Sequence, residues 1–226
     1  GSADNLWVTY PQGRKVFVKK ISSPATSSAD VGAGWEIDVD PNIGKRSSLV
    51  ATDKELFVFT RTSRNKAGNL RFFRYDHDGE LLESGFVEQM EIGNIRVGAS
   101  LNAEGQPVVV VWKGENDQAS LSYYTWNGTS FVRPEKSLIW DLSDGRRCDR
   151  GERTREFSFV VTDDNTLHVV WSCTRKQVMH ASKPLSGEKT RWHYEELVRN
   201  RAQREYDFTP MLTAHGNTVH AFVTLD

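Results

Sequence analysis

Short runs of β-branched and aromatic residues alternate along the chain with clusters of Gly, Asn, Asp and Ser. Runs of this length predict strands, and the clusters between them predict turns. One apolar run recurs five times: LWVTY (6–10), LFVFT (56–60), VVVVW (108–112), LHVVW (167–171) and VHAFV (219–223). The runs begin 50 to 59 residues apart. Four of them follow a second apolar run across a tight turn: SSLVATDKE, GASLNAEGQP, SFVVTDDNT and TPMLTAHGNT. A third, more polar strand comes next (KVFVKKIS, LRFFRYDH, LSYYTWNG, VMHASKPL), and then a fourth (WEIDVD, LLESGFVEQM, SFVRPEK, WHYEELV). The best helical candidate, Glu195 to Gln203, is short and reads as a decorated loop.

Four-strand units repeating every 40–50 residues or so predict an all-β protein, a β-propeller of four-stranded antiparallel blades. Residues 1–226 form one such domain of about five blades. The chain begins and ends on second strands, so the ring is expected to be irregular or incomplete. The first two strands of each unit are apolar on both faces, which places them between neighbouring blades near the centre. The third and fourth alternate, as strands nearer the rim should. Tandem sandwiches compete less well, because each needs about 100 residues and has no four-strand period.

SADVGAGW (28–35) falls between the third and fourth strands of the first unit. It resembles the Asp-box, the S-x-D-x-G-x-T-W turn of sialidase-like (BNR) propeller blades. Ser28, Asp30, Gly32 and Trp35 match, and Gly34 departs where Thr is usual. SGEKTRW (186–192) and NGTSF (127–131) are weaker echoes in other units. Asp accepts turn amides, Gly permits positive φ, and Trp packs between sheets. In that family the box is structural, so the resemblance implies fold more than activity.

Composition narrows the function classes. Hydrophobic residues are 38% and charged residues 26%, which suits a β-rich globular chain. The net charge of −1 provides no global field for nucleic acid or an anionic membrane, and no nucleic-acid module is evident. No apolar run reaches the roughly 18 residues of a membrane span. Gly1-Ser2 reads as a cloning remnant, so a targeting segment could once have preceded it. The two cysteines, Cys148 and Cys173, fall in loops of one blade that open on the same face. They read as a disulfide pinning the longest loop or as two free thiols. A disulfide would fit an extracellular or periplasmic protein.

In a propeller, the loop into each first strand and the loop after each second strand open on one face, around the central channel. That face collects arginines. Arg147 and Arg155 lie in DLSDGRRCDRGERTREF (141–157), beside Asp149 and Glu156, and Arg46, Arg96 and Arg204 stand at or before other innermost strands. Bidentate pairing of arginine with carboxylate is the physical reason such a cluster selects uronic or sialic acids. Sialidase-like enzymes bind a sugar carboxylate with arginines on this face, and the resemblance implies the same use here. The Y/F-R-I-P motif is missing, however. Solvated arginines paired with loop carboxylates are the competing reading. Trp112 and Trp171 end second strands, where they could stack on sugar or pack between blades. His168 and His220 recur in register with Trp7 and Phe57 and read as interblade packing.

The leading expectation is a carbohydrate-recognising propeller whose partner is an acidic glycan or polysaccharide, with no cofactor or metal. An alternative is a glycoside hydrolase or polysaccharide lyase. Glu205, Tyr206 and Asp149 are its weak catalytic candidates, since none is singled out as a carboxylate pair. A protein-interaction scaffold is the third possibility.

Overall fold

The computed structural model describes residues 5–12, 15–22, 34–37, 47–61, 69–89, 94–115, 118–141, 156–173, 177–187, 191–199 and 208–225. Among them every regular element is a strand. The first sheet is β1 (Asn5–Gln12), β2 (Lys15–Ser22) and β3 (Trp35–Ile37). The second is β4 (Ser47–Ala51), β5 (Glu55–Arg61), β6 (Leu70–Asp76) and β7 (Leu81–Glu88). The third is β8 (Asn94–Leu101), β9 (Pro107–Glu115) and β10 (Gln118–Trp126), with β11 (Phe131–Val132) and β12 (Leu138–Asp141) both paired to β10. The fourth is β13 (Phe157–Val161), β14 (Thr166–Ser172), β15 (Gln177–Pro184) and β16 (His193–Arg199). The fifth is the hairpin β17 (Phe208–His215) and β18 (Thr218–Leu225). All pairings are antiparallel between chain neighbours, apart from the extra β10–β12 pair. This is the blade pattern of a β-propeller.

Two expectations overlap at Glu195, the fourth strand WHYEELV and the helical candidate or decorated loop Glu195 to Gln203, and over Glu195–Arg199 the second is corrected: these residues are part of β16, paired to β15 in the register His180↔Glu195. A stretch that bonds edge to edge with a neighbouring strand satisfies its backbone without helical turns.

The sheets pack face to face through their second strands. Leu56 and Val58 of β5 join Trp7, Val16 and Val18 in one core, while Phe57 and Phe59 point the other way and join Val109 and Val111 of β9. Val108, Val110 and Trp112 then face Leu167, Val169 and Trp171 of β14. Side chains alternate at every residue of a strand, so a strand with neighbours on both sides must be apolar at every position. Val108, Val109 and Val110 are all fully buried, each contributing about 1.5–3 kcal/mol.

Trp35, the tryptophan of the SADVGAGW turn, packs edge-on to Trp7 with ring centroids 5.7 Å apart, and lies over Gly79. Gly79 has φ +93°, and a Cβ there would sit 3.0 Å from the indole. Ser28, Asp30 and Gly32 lie outside the described residues.

The hairpin turns joining first to second strands of the third, fourth and fifth sheets are chained across the blades. The Asn165 side-chain amide donates to both carboxylate oxygens of Glu104 (3.0 Å each) and accepts from the Ala103 amide. The next turn continues the chain: the Asp163 amide donates to the Gly216 carbonyl, and the Asp164 amide to the Asn217 side chain. Asn165 is buried and has φ +62°, a conformation Asn tolerates better than other non-glycine residues.

Removing this bridge should destabilise the fold. Asn165→Ala loses the bridge and strains the backbone, for about 1–3 kcal/mol; Asn165→Gly loses only the bridge and should fall between Ala and wild type. Urea denaturation of the three proteins checks the order, and an Ala variant as stable as wild type would refute it.

Candidate functional site

The described residues form a cavity of about 550 Å³ where successive inner strands converge. Thr9 of β1 and Ser47 and Ser48 of β4 line one wall, and the Ser47 hydroxyl donates to the Thr9 hydroxyl at 3.0 Å. Arg96 to Ala99 of β8 line the second wall. Glu156 and Phe157 to Phe159, at the start of β13, line the third. Gly98 is required here, because a Cβ would come within 2.6 Å of the Phe159 ring. The site therefore combines hydroxyls, one ion pair and two aromatic rings.

Among the described residues, Arg96 and Glu156 are the charged groups lining this cavity, and they form an ion pair across the seam between the third and fourth sheets. The hairpin registers Leu101↔Pro107 and Val161↔Leu167 place both at the same point, one residue before Val97 and Phe157. Arg46 occupies the corresponding position in the sequence, one before Ser47. The Arg96 guanidinium also sits over the Trp112 ring, 5.8 Å from its centroid. The Arg96 side chain is 18% exposed and that of Glu156 46%.

The other predicted site residues divide in two. Arg46, Arg147, Arg155, Arg204, Asp149, Glu205, Tyr206 and Cys148 lie outside the described residues. Trp112 and Trp171 are placed, but in the core between the third and fourth sheets, 6% and 0% exposed. Neither offers a free ring face to the cavity, so neither is retained as a ligand contact. The two also differ in register. The turn hydrogen bonds Asn102 N–H to Gln106 and Thr162 N–H to Thr166 make Pro107 the counterpart of Leu167. Trp112 is therefore the counterpart of Ser172, and Trp171 of Val111. A shift of one residue reverses the face, so the two indoles enter one core from opposite sheets. Cys173 is wholly buried just after β14.

A second polar constellation lies on the fourth sheet. Glu195 accepts from His180 Nδ1 at 2.6 Å, and His180 Nε2 lies 3.1 Å from His168 Nδ1. Since a carboxylate only accepts, His180 carries a proton on Nδ1, and wherever its Nε2 is unprotonated His168 Nδ1–H donates to it. Burial pushes the His168 pKa down, and the His180 charge adds to this; Asp164 and Glu195 pull it partly back. His168 corresponds in register to Phe57, as the sequence pattern implied. Elsewhere Lys183 is buried between Tyr123 and Trp192, donating to the Tyr123 hydroxyl at 3.0 Å. Burial lowers the Lys183 pKa and raises that of Tyr123 to about 12. Among the described residues no group of three or more His, Cys, Asp and Glu is placed to hold a metal ion, and no helix is long and apolar enough to cross a membrane.

No known family matches the sequence, and no curated protein is similar to it. Solved structures are similar in fold. The chain aligns over 98% of its length with Aleuria aurantia lectin in complex with alpha-methyl-L-fucoside, at TM-score 0.56, 13% identity and 67% of that chain. It aligns over 98% with AofleA from Arthrobotrys oligospora, at TM-score 0.51, 10% identity and 65% of that chain. It aligns over 92% with a polysaccharide lyase, an ulvanlyase bound to a chain of GlcA and 3-sulfated rhamnose, at TM-score 0.50, 11% identity and 57% of that chain. The chain spans about two thirds of the length of the first two.

The histidine pair makes stability depend on pH. A folded pKa below the unfolded value of about 6.5 means the unfolded chain takes up the proton first. Stability from His168 is therefore complete above that value and lost as pH falls through it. The denaturation midpoint should drop between pH 7.5 and 5, on the order of the range in which histidine titrates, and should drop less in His168→Phe. Equal drops in the two proteins would refute the assignment.

Proposed function

We propose that this chain is a carbohydrate-recognising β-propeller that takes an acidic sugar, uronate- or sialate-bearing, into the cavity between its inner strands. The observation that carries the reading is the cavity itself, where a guanidinium stands beside aromatic rings and opposite hydroxyls. A sugar acid needs these three groups: a planar cation for its carboxylate, an apolar face for its C–H groups, and hydroxyl partners. The fold neighbours support a sugar as the ligand class, since one is bound to a fucoside and another to a uronate-containing chain. Arg46, Arg147, Arg155 and Arg204 belong to the same proposal as further cations of that face. The sialidase-like turn at SADVGAGW belongs to it as a statement of ancestry. We read Cys148 as the partner of Cys173, which fits an extracellular or periplasmic setting.

A glycan array tests the reading. Binding to uronate- or sialate-bearing glycans is expected, falling roughly tenfold or more in Arg96→Ala, as for loss of a charged hydrogen-bond donor. A blank array would transfer the function to a protein-interaction scaffold. Appearance of an unsaturated uronate product on incubation would make the protein a lyase instead.

A further inference from the structure

We infer that Glu156 is a built-in substitute for the ligand's carboxylate, and that an acidic sugar enters by displacing it from Arg96. The inference rests on the carbohydrate reading above and assigns the group that sets specificity within it.

The two members of the pair are held unequally. Arg96 belongs to strand β8, lies over the Trp112 ring, and is mostly buried. Glu156 precedes β13, and its side chain is about half exposed. Apart from the ion pair, the described residues hold Glu156 by its main chain: the Glu156 carbonyl accepts from the Ser172 amide at 3.1 Å and from the Ser172 hydroxyl at 3.4 Å. The cation is therefore fixed and the carboxylate exchangeable. A half-exposed carboxylate recovers its hydration by rotating outward, so its release costs little beyond the ion pair itself.

The surroundings of the pair suit an incoming sugar acid. The volume of about 550 Å³ exceeds that of a single sugar ring, and the pair lies on its wall. With its carboxylate on Arg96, the sugar would have Phe157 and Phe159 beside it and Ser47 and Ser48 across from it. A neutral sugar has nothing to exchange for Glu156. The pair therefore discriminates: Arg96 and Glu156 neutralise each other, and the pair yields to another carboxylate.

The sign of the salt effect follows. In the wild-type protein one carboxylate replaces another, and the released Glu156 stays nearby as a like charge, so added salt should leave binding unchanged or strengthen it. With Glu156 neutralised, cation meets anion and salt should weaken binding.

The test titrates wild type, Glu156→Gln, Glu156→Ala and Arg96→Gln with sodium D-glucuronate and with D-glucose, following the indole N–H resonance of Trp112. Glu156→Gln should bind glucuronate about two- to fivefold tighter than wild type, the factor expected for loss of a competing, partly exposed ion pair. Its affinity should fall with salt while that of wild type does not. Glu156→Ala should behave in the same way, and Arg96→Gln should lose glucuronate. Neither Glu156 variant should gain affinity for glucose. If wild type binds glucuronate and both Glu156 variants bind it equally or more weakly, Glu156 is not a competitor and the inference fails, while the carbohydrate reading stands. Equal gains for glucose would overturn it as well. If neither wild type nor the Glu156 variants bind glucuronate or any arrayed glycan, the carbohydrate reading falls, and the inference with it.

Discussion

Each of the strands β5, β9 and β14 is a wall shared by two cores. Phe57 and Phe59 look one way from β5, and Leu56 and Val58 the other. On β9 the odd-numbered valines at 109 and 111 meet the second sheet, while Val108, Val110 and Trp112 meet the fourth. A polar residue on such a wall must find its partner inside the core, as His168 of β14 does in His180, or it leaves an unpaired group there. The aromatic cluster of Phe57, Phe59, Phe72, Trp126 and Phe131, with centroids 5.0 to 6.2 Å apart, shows how fully one of these seams is filled.

That filling leaves chemistry to the ends of the strands. At one end the hairpin turns are tied to each other through Asn165, Glu104, Gly216 and Asn217. At the other, the inner strands begin with residues that differ from blade to blade: Ser47, Val97 and Phe157 occupy one register point, with Arg96 and Glu156 just before the last two. The packed walls fix where these positions lie, and Val97 and Phe157 lean on the edges of two cores while Ser47 meets Thr9. The cavity is built from such positions.

Much of the architecture was legible because shared walls have a plain signature. Continuous runs such as VVVVW have no polar face, and their recurrence announces repeated sheets. The outer strands were harder. β11 is only two residues long and is followed by Arg133-Pro134, while the edge it leaves on β10 is taken up by β12, a run that the four-strand count did not assign. Glu195–Arg199 could be read both as the end of the strand WHYEELV and as a helical start, because a rim strand, open to water, need not alternate strictly. Trp112 and Trp171 look equivalent as the last letters of similar runs. The turn length, not the run, sets the register, and one residue separates them. Arg96 could be singled out as a cation at a strand start. Its union with Glu156 could not, since it joins segments 60 residues apart across two sheets.

The linked turns have a mechanical meaning. Among the described residues, each links one blade to the next, as the shared walls do, so cohesion is passed from blade to blade. The second, third and fourth sheets share a core on each of their two faces. Opening of any one of them must break two such walls. Amide exchange slow along β5, β9 and β14 would trace that double grip.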